Sequence, residues 1–116
     1  MENHKLVLPE HMNHFGFLFG GYLLTWIDEV AWIAASLEFP GHNFVTIGLD
    51  KVEFRESVNK GTILKFKAEQ IRKGTTSVTY EVNVTRARID SGGLDPVFTT
   101  RVTLVCVDGD GKKIAF

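Results

Sequence analysis

Two adjacent carboxylates, Asp28 and Glu29, stand inside the segment NHFGFLFGGYLLTWIDEVAWIAASLEF, which begins at Asn13 and is otherwise mostly apolar. A carboxylate in such a segment has two uses. It can be hydrated or paired along a surface stripe, or it can face a cleft as a general base or nucleophile. On a helix, Thr25, Asp28, Glu29, Trp32 and Ser36 fall three or four residues apart and share the one stripe that carries polar groups. Partial burial beside apolar neighbours makes a carboxylate a stronger base. Gly20-Gly21 stands where the preceding loop enters this helix. Free backbone N–H groups at a helix start attract developing negative charge, and glycine lets a ligand carbonyl approach closely. An acid two turns further along suits acyl transfer. A Gly-Gly pair before a helix is common on its own. With Asn13 and Asp28 at fixed offsets the pattern is more specific.

The elements that would position these groups follow from periodicity. Lys5–Leu8 reads as a short strand closed by Pro9, and the stretch from Pro9 to Gly21 reads as a loop by its Pro and Gly content. Tyr22–Glu38 is long enough for four to five helical turns and is apolar on nearly every side, the pattern of a buried helix. The PGHN stretch at 40–43 stops it. Four strand-like runs follow, over 44–58, 61–73, 75–89 and 97–108. The third alternates cleanly, with Val78, Tyr80, Val82 and Val84 on one face and Thr79, Glu81, Asn83 and Thr85 on the other. Strands in succession with short connections imply an antiparallel sheet. One helix apolar on all sides needs a sheet curled around it, which makes this an α+β chain with the architecture of the hotdog fold, an antiparallel β-sheet wrapped around one long central helix.

The totals are those of one globular domain over residues 1–116, 44% hydrophobic and 23% charged. The formal charge of -1 supplies no bulk field for nucleic acid or anionic membrane, and no basic-aromatic groove is visible. The apolar run from Tyr22 to Leu37 is short for a membrane span and contains two acids. No long apolar stretch opens the sequence, so the cytoplasm is the expected compartment. Cys106 is the single cysteine and lies in a strand-like run, which marks it as a small core residue. His4, His11, His14 and His42 lack the spacing of a zinc site, so no metal is expected.

The stretch LVLPEHMNHFGFLFGGYLLTWIDEVAWIAA resembles the acyl-CoA thioesterase branch of the hotdog superfamily. Asn13, Gly16, Phe19, Gly20, Gly21 and Asp28 match its pattern in order and spacing. FRESVNKG at 54–61, RKGTTS at 72–77 and the closing VDGDGK turn at 107–112 are similar to further family motifs, so the likeness covers nearly the whole chain. Ser57 stands where the family usually has Pro, and Phe17 where many members carry a polar or acidic residue. These departures bear on substrate preference more than on activity.

The resemblance implies hydrolysis of an acyl-CoA thioester to a free acid and CoA. Asp28 would act as general base or nucleophile, Asn13 would position water or substrate, and the N–H groups of Gly20 and Gly21 would polarise the carbonyl. The site would form between two units, with Asn13 from one and Asp28 from the other, which implies at least a homodimer and, with family precedent, a hexamer built as a trimer of dimers. Locally, KGTTS reads as a β-turn. The resemblance instead makes Lys73, Gly74, Thr75, Thr76 and Ser77, with Arg55 and Arg72, the groups that bind CoA. Arg86 and Arg88 are further phosphate candidates. CoA is part of the substrate, so no cofactor is expected. Two other readings compete. His14-Phe15 precedes Asp28 by the separation that a catalytic His and an acid have in hotdog acyl-thioester dehydratases, but the Pro of that loop is absent and the acid is Asp rather than Glu. A non-catalytic acyl-CoA-binding sensor would keep the pocket without needing Asp28.

Overall fold

A computed structural model describes residues 1–50, 52–54 and 56–116. The chain runs β1 (Glu2–Leu6), a 3₁₀ turn (Pro9–His11), α1 (Gly20–Glu38), β2 (Asn43–Leu49), β3 (Ile63–Lys73), β4 (Ser77–Ala87) and β5 (Leu94–Val107). All neighbouring strands are antiparallel, in the order β1-β3-β4-β5-β2, and α1 packs across the inner face of the sheet. This is the α+β layout expected from the alternation of the strands.

The helix buries Leu23, Trp26, Ile27, Val30, Ala31, Ala34 and Ala35, a stripe at three- and four-residue spacing. The three alanines on it allow the helix backbone to approach the sheet closely. Opposite them lie Leu64, Phe66, Val78, Tyr80, Val82, Val84, Val102 and Leu104, each at most 2% exposed. A fully buried aliphatic side chain contributes about 1.5–3 kcal/mol, so this layer is the main source of stability. Cys106 is buried and unpaired within it, as a small core residue should be.

Several boundaries differ from the sequence expectation; β5, for one, begins at Leu94 in the stretch read as a loop, not at Val97. The helix starts at Gly20, two residues early, because Phe19 caps it with extended backbone and the loop has already turned at Gly16, which sits at φ +85°. The first strand is Glu2–Leu6, since its pairing partner β3 begins at Ile63 opposite Leu6. The strand expected over 44–58 stops at Leu49. A bulge between Thr46 and Gly48 bends its end, and Val52 and Phe54 beyond it are exposed, with no inner face to occupy. The helix is also not covered on every side. Tyr22, Trp32 and Leu37 are exposed, so one face rests on the sheet and the other stays open.

Candidate functional site

The loop before α1 is held by its own polar groups. Asn13 Oδ1 accepts the N–H groups of Phe15 at 2.9 Å and Phe17 at 3.1 Å, and the Gly16 N–H donates to the Asn13 carbonyl at 3.1 Å. The Asn13 carbonyl oxygen is therefore occupied in shaping the loop, and its amide nitrogen is the end left to donate to a ligand. His11 anchors the loop to the helix. Its ring packs against Tyr22 and Trp26 with centroids 4.9 Å away in each case, Nδ1 accepts the Leu8 N–H at 3.0 Å, and its carbonyl accepts the Phe19 N–H at 2.9 Å.

At the start of α1 the Tyr22 N–H donates to the Phe19 carbonyl at 3.1 Å. The N–H groups of Gly20 and Gly21 have no hydrogen-bond partner among the described residues. They are orphan donors of the kind that attract an oxyanion. Aromatic rings crowd both glycines: a Cβ on Gly20 would lie 2.9 Å from Phe54 Cζ, and one on Gly21 would lie 2.8 Å from Phe19 Cε1. Any larger residue at either position would have to displace a ring.

Two turns on, Asp28 is half-buried and its Oδ1 accepts the hydroxyl of Thr46 at 2.5 Å. Thr46 lies on β2, the edge strand, with its side chain turned inward like that of Phe44. Thr25, Asp28, Glu29 and Trp32, four of the five residues of the expected stripe, line one groove of about 540 Å³ with Leu24, Leu49 and Val52. Ser36, the fifth, has its hydroxyl buried without a partner among the described residues. The Trp32 indole N–H donates to the Phe44 carbonyl at 3.1 Å. Asn13 and His14 line a different groove of about 580 Å³ with Gly21 and Tyr22, and Asn13 also lines a smaller one with Gly20 and Phe54. Within one chain neither Asn13 nor His14 shares a groove with Asp28. His14 stacks on Phe15, with centroids 4.1 Å apart.

The RKGTTS motif forms the turn between β3 and β4, closed by the Gly74 N–H on the Ser77 carbonyl at 2.8 Å. Lys73 Nζ reaches the Phe116 carbonyl at 2.7 Å and sits 4.1 Å from the centre of the Phe116 ring. Thr75 and Thr76 give their carbonyls to the N–H groups of Phe116 and Cys106. Arg72 lies on the outer face of the sheet in a groove with Arg101, Ile47 and Ile71. Arg86 is ion-paired with Glu56 at 3.6 Å and Arg88 with Asp95 at 3.6 Å. Arg55 lies outside the described residues. Among the described residues no three His, Cys, Asp or Glu side chains are grouped to hold a metal, and no helix is long and apolar enough to cross a membrane.

Sequence reasoning missed Thr46. Its only local signal is a hydroxyl on the inward side of a strand whose other inward residue is Phe44. It also missed the Tyr80 hydroxyl, which donates to Glu38 at 2.8 Å.

A family model described as the thioesterase superfamily matches residues 15–92, which include Gly20, Gly21, Asp28, Thr46 and the β3–β4 turn. The chain belongs to the thioesterase superfamily. Among solved structures, it is similar to a hexameric hotdog fold thioesterase of Campylobacter jejuni, at 38% identity and a TM-score of 0.85 over 98% of this chain and 87% of that one. It is also similar to an acyl-CoA hydrolase of Staphylococcus aureus solved with butyryl coenzyme A, coenzyme A and coenzyme A disulfide, at 30% identity and a TM-score of 0.91 over 99% of this chain and 70% of that one. Structures of that hydrolase also exist with an aspartate, an asparagine or a threonine replaced by alanine. The aspartate and asparagine are fifteen residues apart there, as Asp28 and Asn13 are here. The acetyl-coenzyme A thioesterase of Rattus norvegicus is 40% identical over 69% of this chain, which spans only 14% of that protein's length. The fold of this superfamily member is the hotdog fold.

Proposed function

We propose that this thioesterase-superfamily chain hydrolyses acyl-CoA to a free acid and CoA. The observation that carries the reading is the half-buried Asp28 carboxylate, held by Thr46 on one oxygen and facing an apolar-walled groove. Thr46 fixes the orientation of the carboxylate, and the other oxygen is left to act on water or on the carbonyl carbon. In the first route Asp28 takes a proton from water as its oxygen bonds to the thioester carbon. In the second the carboxylate forms a mixed anhydride that water then opens. In both, the carbonyl oxygen gains charge, the C–S bond breaks, and the thiolate of CoA leaves and is protonated. The orphan N–H groups of Gly20 and Gly21 suit the oxyanion, and the amide of Asn13 suits the water or the substrate carbonyl. The reaction draws on side chains, backbone donors and water, and needs no cofactor.

The site is completed by a second copy of the chain. Asn13 and Asp28 line separate grooves within one chain. Phe15, Phe17, Phe19 and Phe54 are exposed around the start of α1, and β2 is an open sheet edge with Val45 and Ile47 exposed beside it. Exposed aromatics and a free edge both favour pairing. On this reading a homodimer is the minimal active unit, and the hexameric state of the C. jejuni relative supports a fuller assembly built as a trimer of dimers. The RKGTTS turn and Arg72 are assigned to the nucleotide end of CoA, with Lys73 exchanging the Phe116 carbonyl for a phosphate.

Release of CoA thiol, followed over a panel of acyl-CoAs, tests the activity. Mixing unfolded and refolded Asp28→Asn and Asn13→Ala chains tests the shared site. Each variant alone should be impaired, and the mixture should regain part of the wild-type rate because a heterodimer contains one intact site. No recovery in a mixture shown to contain heterodimers would place both residues in one subunit's site.

A further inference from the structure

Residues 11–19 form a small hairpin. The Asn13 N–H donates to the Phe17 carbonyl at 2.6 Å and the Phe19 N–H to the His11 carbonyl at 2.9 Å, on either side of an antiparallel bridge between Met12 and Leu18. The tip is a turn closed by the Gly16 N–H on the Asn13 carbonyl, with Gly16 at φ +85°, the left-handed residue that a three-residue hairpin loop needs. These bonds fix the shape of the hairpin and of Asn13 within it. They do not fix where the hairpin stands against α1. That spacing sets the width of the groove of about 580 Å³ that Asn13 and Gly21 both line.

His11 sits at the base of the hairpin and joins it to the elements on either side. Its ring lies against Tyr22 and Trp26, which are four residues apart on α1 and so neighbours on one face. Both centroids are 4.9 Å away, and the ring stands at 86° to the indole, an edge-to-face contact. Trp26 is 6% exposed and packs edge-on to Phe66 of β3, so the helix side of this contact is anchored in the core. On the other side, Nδ1 accepts the Leu8 N–H at 3.0 Å, which makes Nδ1 the unprotonated nitrogen of the neutral ring. His11 is half-buried and lines neither of the grooves that contain Asn13, so its influence on a ligand passes through other residues.

We infer that His11 is a positioning residue: its ring, seated against Tyr22 and Trp26, sets the distance from the Asn13 amide to the Gly20 and Gly21 N–H groups. The inference rests on the thioesterase reading above, in which these are the donors to the reacting carbonyl and water. Without the ring, the hairpin keeps its internal bonds and shifts as a unit on the helix. A misplacement of about 1 Å caused by a change away from the chemistry costs on the order of 10²-fold in rate. The bond to Leu8 serves a different end. It closes the 3₁₀ turn over Pro9–His11 and contributes to stability, not to the placement of Asn13.

The test is a double-mutant cycle between His11 and Asn13. It is read as kcat and KM for whichever acyl-CoA of the panel releases thiol fastest, with melting temperatures taken on the same preparations. His11→Ala should lower kcat by roughly 10–100-fold and change KM by no more than ~3-fold, because the contact it disturbs is made in the transition state. His11→Phe keeps a ring against Tyr22 and Trp26 but loses the acceptor for Leu8. It should melt below wild type and yet keep kcat within ~3-fold, a split that a merely structural role would not produce. Added to Asn13→Ala, His11→Ala should lower kcat by no more than ~2-fold further, because the group it positions is already gone. If His11→Ala does not fold, His11→Asn, which keeps an acceptor for Leu8 and lacks the ring, carries the same expectation. Losses that multiply in the double variant, or a His11→Phe enzyme as slow as His11→Ala, overturn the inference and leave the thioesterase reading standing. So does a folded His11→Ala enzyme with wild-type kcat. Wild type that releases no thiol from any acyl-CoA overturns the reading itself, and the inference with it.

Discussion

Helix α1 carries two carboxylates that each accept a hydroxyl from the sheet, and their surroundings differ. Asp28 accepts from Thr46 on the edge strand β2, and Glu38, the last residue of the helix, accepts from Tyr80 on β4. Tyr80 is 2% exposed, and burial, reinforced by the bond to Glu38 and its charge, raises its pKa above the ordinary value. Glu38 thus satisfies a buried phenol from a position where the helix dipole disfavours a negative charge. Asp28 satisfies a hydroxyl as well, but its neighbours include an open groove. An acid among apolar residues is therefore not a site by that fact alone. What decides is whether something other than protein can reach it.

The sharpest break between the two comes from removing each charge. Asp28→Asn should lower kcat by at least ~10²-fold, up to ~10⁴-fold, the range of general-base contributions. It should leave the melting temperature near that of wild type. Glu38→Gln should do the reverse, lowering the melting temperature while leaving kcat in place. Calorimetry and steady-state thiol release on the same preparations check this, and a Glu38→Gln enzyme as slow as Asp28→Asn would erase the distinction.

Thr46→Val sharpens the comparison by removing the partner instead of the acid. A hydrogen bond to a charged group is worth about 1.5–3 kcal/mol, so kcat should fall by roughly 10–100-fold. The loss should lie in kcat and not in KM, because Thr46 positions Asp28 and does not bind the nucleotide end. Unchanged kcat in a folded Thr46→Val protein would remove it from the site.

A smaller effect is expected at the other end of the helix. Tyr80→Phe should cost about 1 kcal/mol, a typical hydrogen bond, with no change in kcat. Because the folded-state pKa of Tyr80 is raised, its contribution is full below the unfolded value of about 10 and declines as pH climbs past it, by at most ~1.4 kcal/mol per pH unit. Denaturant melts between neutral pH and pH 11 should show that decline in wild type and a shallower one in Tyr80→Phe.

Lys73→Ala should have the smallest consequence. The side chain is exposed and already engaged by Phe116, and exposed pairs are worth about 0–1 kcal/mol, so KM for acyl-CoA should rise by no more than ~5-fold with kcat kept. The rise should shrink at high salt, where exposed charges are screened. A KM unmoved at low salt would shift the phosphate site away from the turn.

Much of this was legible along the chain. The alternation of Val78, Tyr80, Val82 and Val84 placed an inward face on β4, and those four residues are in the core. The spacing of Thr25, Asp28, Glu29 and Trp32 placed them together, and they line one groove. The end of β2 was misread because Val52, Phe54 and Val58 continue a strand-like spacing of apolar residues past Leu49, while strand pairing there depends on whether a neighbouring strand remains to bond with them. Arg86 and Arg88 were read as phosphate candidates, and each has an acidic partner from another segment.

By itself the sequence determined the helix, the strands and the positions of Gly20, Gly21 and Asp28, because periodicity and backbone chemistry act between residues a few positions apart. Only the tertiary structure decided which groups meet. Thr46 is 18 residues from Asp28, and Phe116 is 43 from Lys73. Both contacts follow from a sheet order that places β2 at the edge, beside the open face of α1, and brings the β3–β4 turn to the end of the chain. No local pattern encodes that order. It is selected by how seven apolar positions on one helix face can be covered by strands whose pairing is set over the whole chain.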